Sequence, residues 1–503
     1  MESSIFSKVK VVYSAVLLAA LVLYAATCAP GVLWQDSGIY QYRIWHNDIE
    51  GKLGLALSHP LYHLIGIGVK YIPIGEFGYR VNLISAFAGA FAVANLFLLL
   101  RLWLKKNFPA ILGAITLALS HTFWRHAAIA EDYTMYSALL LTELLILLQY
   151  VKTKHVVFLY LLGLVNGLAI ATHMFASIAF VCYLVFLVVL LVQKEIRLKD
   201  FGVIVGLWII GAAPYEYLII NKYIQTGDLA ATLSSAFFGN KWQSNVINTG
   251  LSAGLIKENM TFLGYNFPTP NVIFFFAGVY GLKKVSPDRA FKNILLALLL
   301  IFFFFAFRYT VQDRYAFFLP FYCVASVFMG VGVHIFLKRY SHKTFAILIF
   351  AFALLPLPVY EFVPLAAERL EINLGMKRTI PYRNDYTHFL RPWQRGNEGP
   401  TLFAQEALSM VEEGGIIIAD STTVCPLWYV QEIKGVRPDA KVVSWHESYK
   451  NPIAVPTSDT IGELMAERGV YVVSPVAGYC PDYLLEGYDF IKTGPIYRVT
   501  ERK

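Results

Sequence analysis

Residues 11–38, VVYSAVLLAALVLYAATCAPGVLWQDSG, decide the fold. The run from Val11 to Ala29 is uncharged and long enough to cross a bilayer. Asp36 is the first charge after it, so a carboxylate stands close to the membrane surface. Such a group is costly unless it is solvated, paired or working. It opens a loop dense in polar and aromatic residues instead of another span. This is the pattern of an enzyme whose chemistry takes place at the membrane surface.

The rest of the chain agrees. Of 503 residues, 57% are hydrophobic and only 15% charged, too apolar for a soluble globular protein. Further apolar runs follow the first, so it is read as a span and not as a cleaved leader. The net charge of +8 is spread over short loops, where it acts as a topology signal and gives no case for nucleic acid. Five cysteines without CxxC or Cys/His spacing argue against a metal or redox centre. Only Cys425 and Cys480 lie in the polar C-terminal part, where a disulfide between them is one option.

About eleven spans are expected, at 10–29, 80–103, 109–124, 133–151, 155–172, 174–193, 200–221, 271–284, 292–307, 315–337 and 343–362. With the N-terminus in the cytoplasm, Lys8, Lys10, Lys105, Lys106, Lys152, Lys154, Lys194, Arg197 and Lys199 fall inside. So do Lys283, Lys284, Arg289, Lys292, Lys338, Arg339 and Lys343, as the positive-inside rule requires. Asp36, Asp48, Glu50, Glu76, Glu131, Asp132, Asp228, Glu258 and Asp313 fall outside. This needs the apolar run His59 to Pro73 to lie in the interface, since a span there would turn every later basic loop outward.

Residues 1–362 are thus expected to form a membrane domain, 363–377 a linker and 378–503 an extracytoplasmic α/β domain. In the last part Gly415 to Ala419, Lys441 to Ser444 and Val470 to Ser474 read as strands, with a final pair near 488–499. Pro426 to Lys434 and Thr460 to Arg468 read as helices. No GxGxxG or Walker A pattern supports a nucleotide.

Four polar clusters fall on the outer side: Asp36 with Arg43 and His46; Ser58-His59-Pro60 followed by Arg80 and Asn82; Ser120 to His126 followed by Glu131 and Asp132; and Arg308 to Tyr315. His173 lies between two spans on the same side. Taken singly, each has a bland reading. The acids could be solvated or cap helices, Arg80 and Arg314 could snorkel, and His121 and His173 could be satisfied core residues. Together they fit sugar transfer from a polyprenyl phosphate. A carboxylate takes the acceptor proton while Arg or His holds the departing phosphate. Asp36 and one of the adjacent pair Glu131 and Asp132 are the candidate catalytic carboxylates. His59, Arg80, Arg43, His121, Arg125, His173 and Arg314 are the candidate phosphate- or substrate-binding residues. No spacing demands a metal; a divalent cation on Asp36, His59 and Glu131 stays an option.

The ordered set Trp34 to Gly38, Ser58-His59-Pro60, Arg80 to Ala86, Ser120 to Trp124, Ala130 to Tyr133, Asp313 to Pro320 and Pro426 to Asp439 resembles the DUF2723 family. That family belongs to the GT-C superfamily of membrane glycosyltransferases and is related to the TMEM260-type protein O-mannosyltransferases. The resemblance implies a GT-C fold with juxtamembrane helices near 40–50 and 59–73 and a catalytic Asp in the first outer loop, matched by Asp36. It implies a place near the donor phosphate for His59, and favours Glu131 over Asp132 as the second acid. His173 matches a recurrent family histidine. Two departures stand out: Ile39 replaces the Glu of a common D-S-G-E, and Ala419 to Val424 replaces an Asp-rich stretch. No W-W-D motif points to an oligosaccharyltransferase.

The expectation is an inverting glycosyltransferase that moves a monosaccharide, mannose in its most specific form, to a protein, lipid or polysaccharide hydroxyl. The membrane would be the plasma membrane of a prokaryote or the endoplasmic reticulum of a eukaryote. The competing reading is a secondary transporter or channel, which predicts inverted repeats and charged or broken helices at mid-membrane. A receptor or assembly protein is the third, and it leaves Asp36, Glu131 and the histidines without a role.

Overall fold

The computed structural model describes residues 2–285, 289–311, 313–446 and 449–502. Seven stretches are long and apolar enough to cross a membrane: Val9–Thr27, Phe77–Leu104, Tyr133–Thr153, Leu198–Thr226, Arg289–Arg308, Arg314–Arg339 and Lys343–Arg369. Asn107–Ala118, Val157–Thr172 and Ala176–Val192 are shorter apolar helices. The expected run 271–284 is a nine-residue helix, Ile273–Gly281, between two 3-10 turns. All eleven expected runs are therefore helical, and the protein is an integral multi-pass membrane protein. The run 109–124 departs most from expectation. It stops at Ala118, and the extended backbone of Ser120 redirects the chain into a separate short helix, His121–Ala127. The last span runs past its expected end at 362, to Arg369.

Arg314–Arg339 is the centre of the bundle, with 94% of its most apolar window buried. It meets Ile273–Gly281 backbone to backbone: a Cβ on Gly278 or Gly332 would lie 1.9 Å from a carbonyl oxygen of the other helix. Small residues permit such close contact where the surrounding lipid gives no hydrophobic drive.

The loop between the first two long apolar helices holds two shorter helices. Gln35–Trp45 begins earlier than expected, which puts Asp36 in its first turn. Pro60–Lys70 has 11 residues. At about 1.5 Å per residue it is too short to span.

The C-terminal part carries a five-stranded sheet in the order β2-β1-β3-β5-β4, with β1 Ile416–Ala419, β2 Lys441–Ser444, β3 Val470–Val472, β4 Tyr488–Thr493 and β5 Ile496–Glu501. β1 is parallel to both β2 and β3, and β5 is antiparallel to β3 and β4. Side chains of a strand alternate between faces. Ile416, Ile418, Val443 and Val472 thus fill one core. Ile417, Ala419, Val442 and Tyr471 fill another, shared with Trp34, Tyr40, Ile44, Tyr62 and Phe77 of the first loop. The sheet is packed directly onto that loop. Tyr429 also donates to Glu76 at 2.7 Å, and His46 lies 2.7 Å from Glu432. Cys425 and Cys480 are both free thiols and sit in the two different cores, so the sheet separates them.

Candidate active site

Five of the nine candidate residues come together. Asp36, Arg43, His59, Glu131 and His173 line one cavity of about 370 Å³, with Tyr40, Asp132, Tyr133 and Asp313. One wall is apolar, with Met174, Phe175, Phe237, Phe238 and Phe305.

Asp36 occupies the first turn of Gln35–Trp45, where the helix dipole favours an anion. It lies deep in the protein, yet its side chain is open to the cavity. Burial pushes its carboxyl above the ordinary carboxylate range, opposed by the charge of His59. Asp313 is raised to about 7 by burial and by Asp36. Glu131 is also held high by burial and by Asp36, Asp132 and Asp313, although the Ser37 hydroxyl donates to it at 3.1 Å. Ser85 fixes the Glu131 backbone, accepting from its N–H at 3.1 Å and donating to its carbonyl at 2.7 Å.

His59 has a positive φ of 49° and precedes Pro60, two conditions that each disfavour its conformation. Arg43 holds this turn by donating to the carbonyls of Ser58 at 2.9 Å and Leu57 at 3.4 Å. The Nδ1 of His59 lies 2.9 Å from the Thr172 carbonyl and 2.8 Å from Oδ2 of Asp132. Tyr40 stacks on the ring and donates to Oδ1 of Asp132 at 3.2 Å. Burial drives Asp132 upward, but His59, His173 and these hydrogen bonds outweigh it and leave the carboxyl below its ordinary range. Nδ1 of His59 thereby carries a proton, and Nε2 is the nitrogen left for the cavity.

The ligand atoms of His59, Asp132 and His173 lie within 4.8 Å of one another, a donor set that suits a divalent cation. The hydrogen bonds favour a proton-sharing cluster. His173 accepts the Phe175 N–H on Nδ1 at 3.0 Å, and burial lowers it to about 4, so it is neutral and carries its proton on Nε2. That nitrogen would have to give up its proton to bind metal.

The other four candidates lie elsewhere. Arg125 lines a second cavity, also about 370 Å³, with His388, Gln394, Ser421, His446 and Tyr449. The two cavities share Asp36, Ile39, Leu53, Glu131, Tyr133, Trp242 and Asp313, so Asp36 stands at their junction. Arg80 donates to the Val69 and Lys70 carbonyls at the end of Pro60–Lys70. His121 packs against Tyr265 and Tyr360. Arg314 pairs with Glu258. None of these three side chains lines either cavity.

The whole chain superposes on ArnT from Cupriavidus metallidurans. The apo structure gives a TM-score of 0.61 at 11% identity, covering 99% of this chain and 98% of that one. The structure bound to undecaprenyl phosphate gives 0.59 at 13%, covering 97% of each. Archaeal oligosaccharyltransferase AglB from Archaeoglobus fulgidus aligns with a TM-score of 0.49 at 15% identity, over 98% of this chain and 74% of that one. No curated protein sequence matches the chain. The chain shares the fold of ArnT over its length. Residues 56–197 match the family model of the protein O-mannosyl-transferase TMEM260 N-terminal domain.

Proposed function

We propose that this protein is an inverting glycosyltransferase that takes a monosaccharide, mannose in the first instance, from a polyprenyl-phosphate donor and passes it to a protein hydroxyl outside the cytoplasm. The observation that carries this is the position of Asp36, open to the cavity and backed by Arg43 and His59. ArnT has been seen with undecaprenyl phosphate on the same fold, which supports a lipid phosphate as donor. The domain matched at 56–197 is named for protein O-mannosyl transfer.

The donor phosphate sits against His59 and Arg43, with its chain along the apolar wall. The acceptor oxygen attacks the anomeric carbon from the side opposite the phosphate. The new C–O bond forms as the bond to the phosphate oxygen breaks, and configuration inverts. The hydroxyl proton passes to Asp36, whose affinity for it is raised by burial. The electron pair of the broken bond leaves on the phosphate, where His59, oriented by Asp132, and Arg43 stabilise the charge. Glu131 holds the Ser37 turn beside Asp36. The N-terminus is cytoplasmic and the sheet domain lies outside, at the plasma membrane or in the endoplasmic reticulum.

The transporter reading loses support because the polar groups gather at helix ends. Glu143, in mid-helix, is tied to Asn166 at 3.0 Å and Tyr183 at 3.1 Å. The test is sugar transfer in membranes carrying wild type or Asp36→Asn, with radiolabelled polyprenyl-phosphate sugars. Transfer by wild type that collapses in a folded Asp36→Asn supports the proposal. Equal transfer by both removes Asp36 as the base.

A further inference from the structure

Three guanidiniums gather where the second cavity meets the C-terminal part. Arg378 is buried against Asp420 at 2.8 Å, and Arg383 against Asp385 at 2.7 Å. Arg125 is as deeply buried, at 5% exposure, but no carboxylate pairs with it among the described residues. Its contacts are all uncharged: the carbonyl and ring of His388, the Tyr315 hydroxyl and the face of Phe389. Burial and the charges of Arg125 and Arg383 keep His388 far below its ordinary range, so the imidazole is neutral. A buried charge without a partner is expensive, and proteins retain one where a ligand completes the pair.

The cavity has a matching polarity. Its acids, Asp36, Glu131 and Asp313, stand together at the junction with the first cavity. The part of its lining not shared with the first cavity carries Arg125 and hydrogen-bonding groups from the C-terminal part, Gln394, Ser421 and His446 among them. A ligand that fits both ends brings a hydroxyl to Asp36 and an anion to Arg125.

We infer that the second cavity is the acceptor subsite and that Arg125 selects an acceptor with a carboxylate close to the hydroxyl to be glycosylated, such as a serine or threonine peptide with a neighbouring Asp or Glu. This rests on the glycosyl-transfer reading and adds to it the charge of the acceptor. Arg125 is a specificity residue here. The bond made and broken is the one already described. The wall from the C-terminal part explains why a sheet domain is packed onto the first loop.

The test uses the purified full-length chain, a polyprenyl-phosphate mannose, and two serine peptides that differ only in Asp or Asn beside the serine. Labelled peptide and free mannose released by donor hydrolysis are measured together. Wild type is expected to favour the Asp peptide in kcat/KM by about 10-fold or more, the scale of one hydrogen bond to a charged group. In Arg125→Gln the ratio falls towards one, and Arg125→Lys, which keeps the charge but not the fork, lies between. A wild-type ratio near one overturns the inference even if Arg125→Gln does not fold. So does an unchanged ratio in Arg125→Gln. Donor hydrolysis without labelling of either peptide also overturns it while leaving the donor site standing. Neither hydrolysis nor labelling would count against the glycosyl-transfer reading itself.

Discussion

Nδ1 of His59 lies 2.8 Å from Oδ2 of Asp132, and both side chains are more than nine-tenths buried. The pair keeps a proton on Nδ1 of His59 and leaves its other nitrogen for the cavity. Asp132→Asn keeps the shape but removes the charge that orients the ring. A hydrogen bond to a charged group contributes about 1.5–3 kcal/mol, so kcat/KM should fall by about 10- to 100-fold. His59→Asn in the same background should cost little more, because the two act as a unit. Steady-state rates for both single variants and the double check this; additive losses would separate the pair.

Asp36 and Asp313 are coupled carboxyls in one cavity, both raised by burial. A base must be unprotonated, so activity is full above the Asp36 value and falls as pH drops through it. The acid limb of kcat/KM should therefore lie above the ordinary carboxylate range. Asp36 raises Asp313, whereas the rise of Asp36 itself comes from burial, so Asp313→Asn should leave the limb close to its wild-type position. Asp36→Asn should cost at least about 100-fold at every pH. A limb that drops well below the wild-type position in Asp313→Asn would mean that Asp313 is charged while Asp36 titrates.

Part of this was legible in the chain. The spans, Asp36 and the strands of the C-terminal part follow from local pattern, because each depends on hydropathy or period within one segment. The choice between Glu131 and Asp132 does not. They are adjacent on a turn, and only the tertiary packing shows that Asp132 faces His59 and His173 while Glu131 faces Ser37. Arg80, Arg125 and Arg314 look alike in sequence, at the ends of apolar runs. Their partners, two carbonyls, a neutral histidine and Glu258, come from remote segments. Nor does any motif announce that Ser421 and His446 reach the cavity, since this depends on one face of the sheet sharing a core with the first loop.

Gly38 is one place where that loop and the sheet domain meet closely. A Cβ there would lie 2.5 Å from the Leu33 carbonyl and 3.0 Å from Cβ of Cys425. The neighbours include backbone and cannot yield cheaply. Gly38→Ala should destabilise by about 1–3 kcal/mol, as overpacking does, and displace Asp36. A lower melting temperature in detergent together with lost transfer is expected. Full transfer at an unchanged melting temperature would show that the contact is slack.

Arg378 and Asp420 form a buried pair at 2.8 Å, with the Thr422 N–H donating to the same carboxylate at 2.8 Å and the guanidinium stacked 4.0 Å over Tyr479. Removing one partner leaves an uncompensated charge, so Arg378→Met should cost about 3–5 kcal/mol. The double variant Arg378→Met with Asp420→Leu should recover much of that loss, since an apolar pair of similar size avoids desolvation. Thermal unfolding of the three proteins, with proteolysis to follow release of the sheet domain, decides it. A double variant less stable than Arg378→Met would mean that the Asp420 contacts to Thr422 and Thr423 matter more than the pair.

Glu143 sits in the middle of the Tyr133–Thr153 helix, where an ionisable group is a default candidate for function. Its oxygens accept from Asn166 and Tyr183, and Asn166 in turn accepts from Trp208 at 3.0 Å, which joins four helices through one polar cluster. Glu143→Gln retains an acceptor oxygen and should leave sugar transfer within about 2-fold, with the double-mutant average for membrane hydrogen bonds near ~0.6 kcal/mol. Glu143→Leu strands the Asn166 amide and should lower the melting temperature without changing the pH profile of transfer. A structural tie gives that pattern; a proton or solute path would instead respond to Glu143→Gln as strongly as to Glu143→Leu. Transfer abolished by the glutamine alone would place Glu143 in the working machinery and reopen the transporter reading.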